Sequence, residues 1–115
     1  MTAAEMKTLR ESLGLPVSWV AQQAGVTNRT VEYWESGRSA VPDDVASQLA
    51  SIDRFLDYSA KRAGPLLLRY RSNEALWADL PEWSGLPVTA HAAMLARARR
   101  RMASGGAVVA IQYAE

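Results

Sequence analysis

Apolar residues recur at helical spacing through the first half of the chain, and then the rhythm changes. Met6, Leu9 and Leu13 share one face of a helix predicted over residues 3–13, and Gly14 ends it. Val17, Val20, Ala21 and Ala24 form the inner face of a second helix over 17–24. A third, over 28–36, turns Val31 and Trp34 inward and stops at Gly37. Residues 38–41 read as a loop. Pro42-Asp43-Asp44 then opens a fourth helix, because proline suits a first helical turn and aspartates suit the positive end of the dipole. Its stripe of Val45, Leu49, Ile52 and Leu56 continues to about Arg62.

Gly64-Pro65 breaks this pattern. Residues 66–71 are short, apolar and partly aromatic, and read as a strand. Ser72 is placed to cap a short helix through Asp79, and residues 80–87 form a loop anchored by Trp83. Thr89 is placed to cap a helix that ends at Ser104 before Gly105-Gly106. Residues 107–113 read as a last strand. The predicted fold is mainly α: a helical domain over 1–63 and a small α+β domain over 64–115.

Composition narrows the function classes. The chain has 115 residues, 49% of them apolar, so it suits a packed core and not disorder. Its formal net charge is only +1, so any polyanion contact must come from a local patch. Residues 1–63 sum to −1 and residues 64–115 to +2. Asp43, Asp44, Asp53 and Asp57 gather on the fourth helix. There is no cysteine, which removes disulfides and thiolate sites and fits a reducing cytoplasm. The first residues lack the basic and apolar regions of a signal peptide, and no apolar run reaches membrane-spanning length. The expected location is cytoplasmic. Asn28-Arg29-Thr30 matches a glycosylation sequon, which is coincidental without a secretory signal. One histidine, His91, stands without a nucleophile arrangement, and no phosphate loop or metal-ligand spacing is present. The chain reads as a non-enzyme without cofactor or metal, and His91 as a helix-surface or core-edge residue.

Residues 21–37 carry the most specific chemistry. Two short helices meet at Gly25, where a residue tolerant of positive φ is favoured. Thr27 caps the second of them through its side-chain oxygen. Asn28, Arg29, Thr30 and Tyr33 follow, with side chains suited to base edges. This is the layout of a helix-turn-helix whose second helix enters a DNA major groove. Arg29 is suited to guanine O6 and N7, against a plain solvated arginine. Asn28 suits adenine or a phosphate, against capping or solvation. Thr30 and Tyr33 suit a thymine methyl or a phosphate, and Tyr33 equally suits covering the helix edge. Thr27, Gln22, Arg38 and Ser39 are the candidate backbone contacts, which supply affinity and register but not sequence choice.

The segment from Met6 to Gly37 resembles the helix-turn-helix domains of phage repressors, Cro proteins and the XRE-type regulators. It shares their Ala-Gln pair (Ala21-Gln22), the turn glycine (Gly25) and the Glu-x-Gly end (Glu35-Ser36-Gly37). Residues 33–45, Tyr-Trp-Glu-Ser-Gly-Arg-Ser-Ala-Val-Pro-Asp-Asp-Val, look like the anti-CRISPR-associated autorepressors and related YdiL-like regulators. The resemblance implies a lambda-repressor-like bundle followed by a C-terminal dimerisation domain. It implies a homodimer that binds inverted repeats in double-stranded DNA and represses its own operon, with RNA as a further partner in some members. It also implies a partly buried ion pair between Arg10 and Glu35, against two independently solvated charges. Pro16 and Val17 depart from the Gln or Asn that many phage repressors carry there.

The second part reads as an interface. Its strands are more apolar than a domain of about 50 residues covers alone. Leu66, Leu68, Tyr70, Leu95, Met102, Val109 and Ile111 are the candidate dimer contacts. Arg97, Arg100 and Arg101 lie on one helical stripe, as a solvated face or a second nucleic-acid surface. Two other classes stay open. One is the antitoxin of a toxin–antitoxin pair; the other is an RNA-binding translational regulator.

Overall fold

The computed structural model describes all 115 residues, Met1–Glu115. They fold into two compact units, Met1–Arg54 and Phe55–Glu115.

The first unit contains α1 (Ala3–Ser12), α2 (Val17–Ala24), α3 (Asn28–Ser36) and most of α4 (Asp43–Arg62). Helix α1 begins with a capping box. The Thr2 hydroxyl accepts from the Glu5 N–H, and the Glu5 carboxylate accepts from the Thr2 N–H, each at 3.0 Å. The bond from the Thr2 backbone holds the Glu5 carboxyl below its usual range. Asp43 and Asp44 occupy the first turn of α4, and Lys61 and Arg62 the last, both in the sense the helix dipole favours. Helix α3 packs against α1 and α2. The core of this unit is Met6, Leu13, Leu15, Val20, Ala21, Val31, Trp34, Val45, Leu49 and Ile52. Each buried Met, Leu, Val or Ile among these contributes roughly 1.5–3 kcal/mol relative to exposure.

The second unit takes up the end of α4. Phe55 packs its ring against Trp83 at 4.7 Å between centroids, and Leu56 and Ala60 are buried. The units therefore divide within α4, ahead of Gly64-Pro65. Strand β1 (Leu67–Arg69) and strand β2 (Ile111–Tyr113) pair in parallel, with Leu67 opposite Ile111 and Arg69 opposite Tyr113. Parallel neighbours need a long crossover. Here α5 (Asn73–Asp79), a 3-10 turn (Pro81–Trp83) and α6 (Val88–Ser104) supply it. Helix α6 packs on β1.

Both strands are shorter than the expected 66–71 and 107–113. Only Leu67–Arg69 and Ile111–Tyr113 find partners in the ladder. Ser72 caps α5 as expected, accepting from the Ala75 N–H at 3.1 Å. Thr89 does not cap α6. The helix starts two residues earlier than a Thr89 cap requires, after Pro87, whose side chain has no oxygen to offer. Asn73 Oδ1 accepts from the Val88 N–H at 2.7 Å instead, so the donor is satisfied from a distant helix. Trp83 is buried, as its anchoring role requires.

His91 lies inside this unit, not on the helix surface or the core edge. It is 2% exposed, with its ring edge-on to Trp83 at 4.8 Å and to Tyr70 at 5.4 Å. Its Nδ1 is buried without a hydrogen-bond partner. Burial pulls its pKa down to about 4, against a smaller upward pull from Glu82. The folded value lies below the unfolded one, so the unfolded chain takes up the proton first as pH falls. The neutral ring's contribution is complete above about pH 6.5 and is lost as pH falls toward 4. Urea unfolding at stepped pH is expected to show up to about 1.4 kcal/mol of loss per unit in that window. His91→Phe is expected to flatten the profile there. An equal slope in both proteins contradicts the burial of a neutral imidazole.

Candidate nucleic-acid interface

The geometry of α2 and α3 follows from two residues at their junction. Gly25 takes a left-handed φ of 69°, which lets the chain leave α2 with the Val26 N–H donating to the Ala21 carbonyl at 2.9 Å. Thr27 then caps α3, its hydroxyl accepting from the Thr30 N–H at 3.3 Å. Gly37, at φ 85°, closes the far end of α3. The helix buries Val31 and Trp34 and so commits its other side to solvent.

That side presents Asn28 and Arg29, both exposed, with Gln22 and Thr27 exposed just before them. Thr30 is half-buried, and its hydroxyl lies 3.1 Å from that of Thr27, so local capping engages it. Tyr33 is half-buried. The Arg38 guanidinium sits over the Tyr33 ring at 4.5 Å, and the Ser39 N–H donates to the Tyr33 carbonyl at 3.2 Å. Arg38 and Ser39 are themselves exposed. Glu32, not among the residues expected on this face, is exposed on α3 one turn beyond Asn28 and Arg29. A carboxylate there suits a cytosine amino group and repels phosphates. The visible signal was its i+4 spacing from Asn28.

Arg10 and Glu35 hold this surface in place. The guanidinium grips the carboxylate at two points, Nε to Oε2 at 2.6 Å and Nη2 to Oε1 at 2.9 Å. Its Nη1 donates to the Leu15 carbonyl at 3.0 Å. The two side chains are only 11% and 7% exposed. The hydrogen bond to Glu35 raises the already high pKa of Arg10, so it stays charged. One side chain thus ties α1 to the turn before α2 and to the last turn of α3.

The C-terminal candidates separate. Tyr70 and Leu95 are buried within their own unit, because α6 packs on β1 and consumes them. They are core, not free surface. Leu68, Met102 and Val109 are half-buried. Leu66 is 68% exposed, Ile111 is exposed, and Val108 and Tyr113 extend the apolar surface. Arg97 lies 3.9 Å from the Asp57 carboxylate and is largely covered. Arg100 and Arg101 are exposed. Arg99, also exposed, donates to the Val109 carbonyl at 3.2 Å. No three His, Cys, Asp or Glu side chains gather where they could hold a metal ion. No helix is long and apolar enough to cross a membrane.

The profile of the helix-turn-helix domain matches residues 3–60 of the chain. A stretch of 53 residues is 47% identical to the Aca2 repressor of Pectobacterium phage ZF40. That stretch covers 45% of this chain and 46% of the phage protein, so the likeness spans about half of each.

Breaking the Arg10–Glu35 pair strands a charge that is mostly out of water. Glu35→Ala is expected to cost about 3–5 kcal/mol in urea unfolding. Replacing the pair together, as Arg10→Met with Glu35→Leu, is expected to recover most of it. A single-variant loss below about 1 kcal/mol, the value for an exposed pair, contradicts the clamp.

Proposed function

Because the chain belongs to the helix-turn-helix domain family, we propose that it is a sequence-specific DNA-binding transcriptional repressor. It acts as a homodimer on an inverted-repeat operator and regulates its own operon, of the anti-CRISPR-associated type. The observation that carries this reading is α3, anchored on one side by Val31 and Trp34 and presenting Asn28 and Arg29 on the other. Arg29 pairs bidentately with guanine O6 and N7, and Asn28 with an adenine edge. Gln22, Arg38 and Ser39 grip the phosphates on either side, while the Thr27 hydroxyl stays on its cap. The phage protein that shares half its length with this chain is named a repressor, which supports repression as the outcome. Repression is steric: the bound dimer occupies promoter DNA and excludes polymerase.

Homodimerisation rests on a physical requirement and on a surface. One helix-turn-helix buries too little area for tight specific binding, and linking two half-sites makes the second contact intramolecular. The surface belongs to the second unit. All three residues of β2 are exposed, and Leu66, Val108, Ile111 and Tyr113 leave apolar area uncovered. An open strand edge flanked by such residues favours pairing with a second copy. With Tyr70 and Leu95 in the core, the interface draws on Leu66, Ile111 and the half-buried Leu68, Met102 and Val109. A two-fold pair of these surfaces is self-complementary.

Arg29→Ala tests the reading at its centre. The variant is expected to fold normally, lose roughly 1–3 kcal/mol of affinity and relax preference at one base pair per half-site. A folded variant with unchanged affinity and unchanged preference removes Arg29 from the recognition surface.

A further inference from the structure

Tyr33 and Arg38 are five positions apart, across the end of α3, yet the guanidinium lies 4.5 Å from the ring centroid. Side chains on a continuous helix meet at three or four positions, not five. The contact exists because Gly37 turns left-handed at φ 85° and folds the chain back. Two further bonds fix that return. The Tyr33 carbonyl accepts from the Ser39 N–H at 3.2 Å and from the Ser36 hydroxyl at 3.2 Å. The loop that carries Arg38 is thereby tied to the backbone of the residue whose ring supports it.

An arginine on an exposed loop ordinarily samples many rotamers, and binding must freeze them. Here the aromatic face holds the guanidinium before any ligand arrives. The planar cation keeps its edge donors available while its face is occupied. Tyr33 spends its ring face on this contact and is half-buried, so it is poorly disposed to read a base.

We propose that Tyr33 is a positioning residue: its ring pre-orients Arg38 for a DNA phosphate, and it does not itself select sequence. This rests on the DNA-binding reading above and adds a division of labour within it. Arg29 and Asn28 choose the site; Tyr33 and Arg38 together form one backbone clamp.

A double-mutant cycle tests the clamp on a duplex recovered by selection from random sequence. Tyr33→Leu is expected to weaken binding between about two- and tenfold, the cost of freeing one long side chain. The loss should be alike on all sequences, with the salt slope kept because Arg38 and its charge remain, whereas Arg38→Ala flattens it. In the Arg38→Ala background, Tyr33→Leu should change affinity by less than about twofold, because the cation it held is gone. Tyr33→Phe keeps the ring face and should bind within about twofold of the parent, with circular dichroism confirming that each variant folds. Losses that multiply, or a changed preference at a single base pair, overturn the proposal while leaving DNA binding intact. Failure of the parent protein to bind any duplex overturns both readings.

Discussion

The recognition surface depends on one buried ion pair. Arg10 reaches from α1 to the carboxylate of Glu35 at the end of α3, and with its remaining nitrogen to the Leu15 carbonyl. Taking two charges out of water is expensive, and their attraction repays that cost only with good geometry and saturated donors. Here the geometry is good and each guanidinium nitrogen has a partner: two short contacts to the carboxylate and a third to a backbone oxygen. Its stabilising value relative to apolar residues is small by the same reasoning. Its mechanical value is larger. Val31 and Trp34 bury one side of α3, but apolar contacts alone tolerate rotation and sliding. A bidentate bridge at the helix end fixes the rotation, and so fixes where Asn28 and Arg29 point.

Around that clamp the unit divides its polar groups by task. Thr27 and Thr30 spend their hydroxyls on starting α3. Tyr33 spends its ring and carbonyl on the loop that follows. The side chains left over on the exposed face are Asn28, Arg29 and Glu32. A chain with a net charge of only +1 cannot rely on a broad field to find DNA. A few pre-oriented donors then matter more than the sum of charges.

Much of this was legible in the residues because the punctuation is local. Gly14, Gly25 and Gly37 all take positive φ, and each marks a helix end inferred from the sequence. Trp34 belongs to the core because its spacing from Val31 is helical. What escaped is non-local. The donor at the start of α6 is satisfied by Asn73, far back in the chain, and no reading of the Pro87-Val88-Thr89 neighbourhood reveals that. The Tyr33–Arg38 contact needs the backbone path through Gly37 as well as the residue types. Tyr70 and Leu95 show a deeper limit. A core and an interface draw on the same apolar residues, and only the packing of α6 on β1 separates Leu95 from Leu66. The capping box is different: Thr2 and Glu5 stand at the required spacing, and the pattern was there to be read.

We propose that a rigidly presented α3 reads DNA and that two copies do so together. Selection of bound sequences from random duplex DNA, using the full chain, tests this most directly. The expected result is an inverted repeat with half-sites about one helical turn apart, or a multiple of it, each containing a guanine for Arg29. Recovery of no enriched sequence, or of a lone half-site without its inverted partner, contradicts it.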